Sequence, residues 1–241
     1  GTTGTAGAVS AANSLVGSTA NDSVGNSGVT PLNNGNYVVS SRNWDNDAVT
    51  NVGAVTWGSG TTGRAGAVSA GNSLVGSTAN DSMGTYGVTA LNNGNYAVSS
   101  WSWNNDAVAK VGAVTWASGT AGTAGAVSAA NSLVGSTAND YVGVGTGGVT
   151  PLNNGIYVVN SPHWNGDRGA VTWGSGPFGV SGAVSAGNSV LGTAPSGGSS
   201  MVFAYDFLKT RLLVGYPAAN RVSLFGTNPE IAVEQPAGTD L

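Results

Sequence analysis

Cysteine is absent from all 241 residues. That excludes disulfides, thiol catalysis and cysteine-ligated zinc or iron–sulfur centres. Histidine occurs once, at His163, and charged residues make up 7% of the chain, where an average domain has roughly 25%. Seven Lys and Arg against eleven Asp and Glu give a formal charge of −4 and a pI near 4.6. So few scattered cations cannot neutralise a row of phosphates, and nucleic acid is not an expected partner. No apolar run approaches the roughly 20 residues that span a bilayer, and no charged-then-apolar leader opens the chain. Membrane insertion is not expected.

Helix signals are missing as well, since no stretch of ten residues avoids glycine while holding a 3.6-residue period. So are the constellations of enzymes: the repeats hold no paired Glu, no Walker loop and no Gly-x-Ser-x-Gly elbow. Pairs such as Asp45 and Asp47 lack a neighbour that could split their pKa values. The expectation is a protein that is not an enzyme and needs neither cofactor nor metal.

What the chain does have is 40 glycines, 40% apolar residues, a mean hydropathy of +0.05 and a repeat. Ser-Leu-Val-Gly-Ser-Thr-Ala-Asn-Asp stands at Ser14 to Asp22, Ser73 to Asp81 and Ser132 to Asp140, a period of about 59 residues. Leu32, Leu91 and Leu152 keep the same beat, as do Trp44, Trp103 and Trp164, and Trp57, Trp116 and Trp173. A period of that size means an array of one supersecondary unit. The whole of 1–241 reads as one repeat domain: a partial unit over 1–27 carrying a closing strand, then 28–86, 87–147, 148–198 and a diverged unit over 199–241. Gly1 falls inside a repeat, so the chain reads as a mature or excised piece of something longer.

In the second unit Gly87 to Leu91 is a short alternating run, Asn92-Asn-Gly-Asn95 is turn chemistry and Tyr96 to Ser100 is a second run. Asn-Gly supplies the positive φ of a tight hairpin, and it recurs at Asn34-Gly35 and Asn154-Gly155. A loop carrying Trp103 leads to a third run, Gly112 to Trp116, and Gly125 to Ala129 and Ser132 to Gly135 supply one or two more strands. The last unit keeps this skeleton at Met201 to Asp206, Leu212 to Pro217 and Asn220 to Gly226, with a further strand expected at Ile231 to Glu234. Gly7 to Ser10 reads as an orphan strand equivalent to the last strand of a blade. The predicted fold is an all-β repeat protein, a β-propeller of about four blades with four antiparallel strands each. The alternative is a β-solenoid of three coils per unit, against which the hairpins speak, because solenoid coils need parallel pairs.

Leu212-Leu-Val-Gly-Tyr-Pro-Ala-Ala-Asn-Arg-Val-Ser-Leu-Phe-Gly226 resembles the FG-GAP repeat of integrin-type β-propellers, and Tyr37 to Ser41, Trp44 to Asn46 and Gly53 to Trp57 stand in the matching places. The resemblance implies propeller blades. That family often carries an Asp-rich calcium loop between its first two strands; here the loop is Leu32-Asn-Asn-Gly-Asn36 without a carboxylate, so calcium is not carried over. The near-identical repeats also resemble those of very large haemagglutinin-like bacterial surface proteins, which implies adhesion and an extracellular or cell-surface setting.

In such a blade the loop between strands two and three and the link between blades emerge at one end. That end would gather Trp44, Asp45 and Asp47 beside Asp22, then Trp103 and Asp106 beside Asp81, then Trp164 and Asp167 beside Asp140. An aromatic face with carboxylate and amide acceptors suits a sugar ring. The competing reading makes the tryptophans packing and the aspartates caps of their own turns. Two functions follow as expectations: an adhesion module binding a glycan or protein surface, or a structural subunit of a filament, sheath or stalk that associates with itself.

Overall fold

The computed structural model describes residues 7–145 and 147–226. Its organising element is the Asn-Gly turn. Gly35 and Gly94 adopt φ of +85° and Gly155 +77°, which lets Gly35 N–H reach the Leu32 carbonyl at 3.0 Å and Leu32 N–H reach the Asn36 carbonyl at 2.8 Å. The turns close hairpins whose central strands are rich in Val, Ala, Ser and Thr.

Two residues, Leu15–Val16, form β1. The first full unit then lays down β2 (Val29–Pro31), β3 (Tyr37–Ser41) and β4 (Ala54–Gly58), leaves its own sheet for β5 (Gly66–Ala67), and returns as β6 (Leu74–Val75). The second unit repeats this as β7 (Val88–Ala90), β8 (Tyr96–Ser100), β9 (Ala113–Ala117), β10 (Gly125–Ala126) and β11 (Ser132–Val134). The third does so as β12 (Val149–Pro151), β13 (Tyr157–Ser161), β14 (Ala170–Gly174), β15 (Gly182–Ala183) and β16 (Ser189–Leu191). The diverged unit is a three-stranded antiparallel sheet of β17 (Val202–Asp206), β18 (Arg211–Tyr216) and β19 (Arg221–Gly226). The protein is therefore an all-β repeat array, with five sheets among the described residues and each full unit a four-stranded antiparallel meander. The Ile231 to Glu234 segment lies outside the described residues.

Two expectations need correcting. The Gly-Ala-Val segment is not the last strand of its blade: β5, β10 and β15 cross to the preceding sheet and pair in parallel with β1, β6 and β11. The last strand is the Ser-Leu-Val segment, pinned to the third by the hydroxyl pairs Thr56–Ser73 at 2.7 Å, Thr115–Ser132 at 2.7 Å and Thr172–Ser189 at 2.6 Å. Antiparallel meanders and parallel links thus coexist, and each full unit is sewn to the one before it. Gly7 to Ser10, in turn, forms no strand.

The cores lie between units, because strands alternate their side chains across the two faces of each sheet. Val38 and Val55 of the first unit pack with Tyr96, Val98 and Trp103 of the second. Ala97 and Val114 of the second pack with Tyr157, Val159 and Trp164 of the third. Val158 and Val171 of the third pack with Leu212, Val214 and Tyr216 of the last. No unit can bury its faces alone.

Candidate functional site

Asp22, Asp81 and Asp140 close the Gly-Ser-Thr-Ala-Asn-Asp turns, and all three are buried. Asp81 Oδ2 accepts from the Ser77 and Thr78 N–H groups at 2.8 Å each, and Oδ1 accepts from Thr78 Oγ1 at 2.7 Å and from the Asn104 N–H at 3.0 Å. Asp22 repeats the pattern with Ser18, Thr19 and the Asp45 N–H, and Asp140 with Ser136, Thr137 and the Asn165 N–H. Desolvation works to raise the Asp22 pKa, but the hydrogen bonds from Thr19, Asp45 and Ser18 together outweigh it and hold the carboxyl below its ordinary 3.8. A Cβ on Gly76 would come within 2.4 Å of the Val52 carbonyl and 2.7 Å of Asp81 Cβ, which explains the glycine before each such turn.

The structure thus brings the two loops together as expected, but through the backbone. The Asp45 carboxylate faces its own loop, where Oδ1 accepts from the Asn51 N–H at 2.7 Å; Asn104 takes the same role on Lys110 at 2.8 Å. Asp47, Asp106 and Asp167 are exposed at loop tips with φ of +53°, +51° and +62°. Asp167 Oδ1 lies 2.7 Å from His163 Nδ1, four residues back across a tight loop in which Asn165 and Gly166 hold φ of +51° and +68°.

The sugar-stacking role of the tryptophans does not survive this geometry. Trp44 and Trp103 are 2% exposed and Trp164 8%, and each belongs to an apolar cluster. A ring sealed into a core offers no face to a ligand. Asp22, Asp81 and Asp140 are equally unavailable, their oxygens already filled by backbone and threonine donors. Among the described residues no group of three His, Cys, Asp or Glu side chains is placed to hold a metal ion.

The Asn-rich turns have a role that residue patterns did not reveal. Asn34 and Asn36 Nδ2 donate to the carbonyl of Gly119, one unit along, at 2.8 Å each, and Trp57 Nε1 donates to the same oxygen at 2.9 Å. Asn93, Asn95 and Trp116 grip the Gly176 carbonyl in the same way, at 3.0, 3.3 and 2.9 Å. In the third unit Ile156 replaces the second clamp asparagine and packs on the apolar cluster that the third and last units share, while Trp173 Nε1 is buried with no partner among the described residues. The signal was available: Asn36 and Asn95 give way to Ile156 where the following unit diverges.

A comparison with curated proteins finds no match to the chain. A family model matches residues 1–26, 31–85, 90–144 and 151–199, four segments that together cover most of the sequence. The chain belongs to the family described as a repeat of unknown function (DUF5650).

Proposed function

We propose that this chain is a non-enzymatic structural module of an extracellular or cell-surface protein whose Gly7-Ala8-Val9 segment docks on the Ser-Leu-Val-type edge of another repeat, a contact that isolated copies of the chain make with one another. The observation that carries the reading is Val9. Its equivalents Val68, Val127 and Val184 are buried to 1%, 2% and 4% exposure, whereas Val9 is 80% exposed. Those three follow Gly-Ala pairs docked on a preceding Ser-Leu-Val strand, with Val68 N–H bonded to the Val16 carbonyl and Val127 N–H to the Val75 carbonyl at 3.0 Å each. Gly7-Ala8-Val9 has the same sequence without such a partner among the described residues.

The matching acceptor is the outer edge of β16. It pairs with β14 on one side and, among the described residues, with no strand on the other. Beside it lies a cavity of about 300 Å³ lined by Val190, Leu191, Tyr216 and Phe225, among others. In the register of the internal pairs, Gly7 of one copy would face Val190 of the next and Ala8 would face Leu191, with Val9 entering the cavity. Adding a strand to an open edge is a general mode of association, and a heterologous contact of this kind makes rings or filaments. Low charge, the lack of cysteine and the blade-like meanders, which keep the FG-GAP resemblance in play, support a surface setting. Adhesion through the Trp44, Trp103 and Trp164 loops loses its support with their burial.

Light scattering across a concentration series tests this. The mass should rise with concentration in the native chain and stay monomeric in Val9→Asp, whose melting temperature should not fall because Val9 is already exposed. A native chain that is monomeric throughout, or assembly indifferent to Val9→Asp, contradicts the reading.

A further inference from the structure

The repeats are near copies, so the places where they differ on one surface stand out. Trp101 occupies the position of Arg42 in the first unit and Pro162 in the third; Tyr86 stands where the first unit has Ser27; Tyr141 replaces Ser23 and Ser82; Lys110 replaces Asn51. These substitutions converge. The Tyr86 and Trp101 rings lie 4.1 Å apart between centroids, Tyr141 follows at 5.5 Å from Trp101, and His163 at 5.8 Å from Tyr141. The row is open to solvent, with Tyr86 52% exposed and Trp101 and Tyr141 half-buried.

Tyr86 and Trp101 form one wall of a cleft of about 490 Å³, inside the size range of small-molecule sites. Its lining includes the amides of Asn51 and Asn80 and the cations Arg42 and Lys110, and it contains no carboxylate. Neither cation forms an ion pair among the described residues. Two of only seven Lys and Arg thus meet in one cleft of a chain whose net charge is −4.

We propose that this cleft binds the carboxylated sugars of an acidic glycan. The aromatic wall offers a flat apolar surface to the C–H face of a pyranose ring. The amides can donate to and accept from neighbouring hydroxyls, and Arg42 and Lys110 supply the charge that a uronate or sialate carboxylate needs. A neutral sugar uses only the first two features, and an acidic peptide only the last. The site shares no residue with the end-to-end pairing above and stands or falls separately from it.

Calorimetric titration of the full chain tests the site, with a galacturonic acid hexamer, maltohexaose and hexaglutamate as ligands. The uronate should bind, its affinity should drop with added salt, and Trp101→Ala should weaken it about tenfold through the lost ring contact. Tyr86→Ser combined with Lys110→Asn installs the residues that the first unit already carries, so the fold is kept while binding should fall by at least that factor. Absence of uronate binding overturns the proposal. So does binding of maltohexaose or hexaglutamate at equal affinity, or uronate binding that the double substitution leaves unchanged.

Discussion

A carboxylate withdrawn from water is costly unless its lone pairs are met, and Asp22, Asp81 and Asp140 meet theirs with backbone N–H groups and one threonine hydroxyl each. For Asp22 this has a consequence in pH. Its folded-state pKa lies below the ordinary 3.8, so the unfolded chain binds the proton more readily. The stability that Asp22 contributes is therefore full above that ordinary value and is lost as the pH falls through the lower folded one. Urea unfolding of the native chain and of Asp22→Asn should show a clear gap in midpoint at about pH 6 that narrows by about pH 3. A gap constant with pH contradicts this role. The residue types were legible in the sequence, but their employment was not, since Asp, Asn and Trp serve a bound sugar and a buried turn equally well. Asn-Asp turn chemistry made the turn one of the two readings, and only the filled oxygens decide it.

Between elements, what matters is which partner a repeated side chain finds one unit along. Asn95 has the Gly176 carbonyl; its counterpart Ile156 has the apolar cluster between the third and last units. Restoring the repeat pattern with Ile156→Asn should therefore destabilise the protein by about 1–2 kcal/mol, as an amide enters apolar surroundings without a partner, readable as a lower urea midpoint. A stabilising Ile156→Asn would show that the clamp depends on the turn alone. The hairpins were readable because Asn-Gly dictates its geometry locally: Tyr96 to Ser100 was placed residue for residue. The parallel crossing of β5, β10 and β15 was not, because a two-residue Gly-Ala strand has no periodicity, and its partner lies some 50 residues away, at Leu15 for Gly66.

At the scale of the whole molecule, every core sits between two units and every full unit lends a strand to its predecessor. The repeat period announced such an array, while the unpaired Gly-Ala-Val segment became legible only through exposure, with Val9 at 80% against 1% for Val68. The same device that sews units together inside the chain is then available between chains. Since the native sequence has no cysteine, the contact can be trapped cleanly. Two single variants, Ala8→Cys and Leu191→Cys, are mixed and oxidised, with Val75→Cys/Ala126→Cys in one chain as the internal pair of the same register. Head-to-tail pairing predicts a two-chain product in the mixture well above that of either variant alone. No such product, or a link that forms only when both cysteines are in one chain, would contradict it.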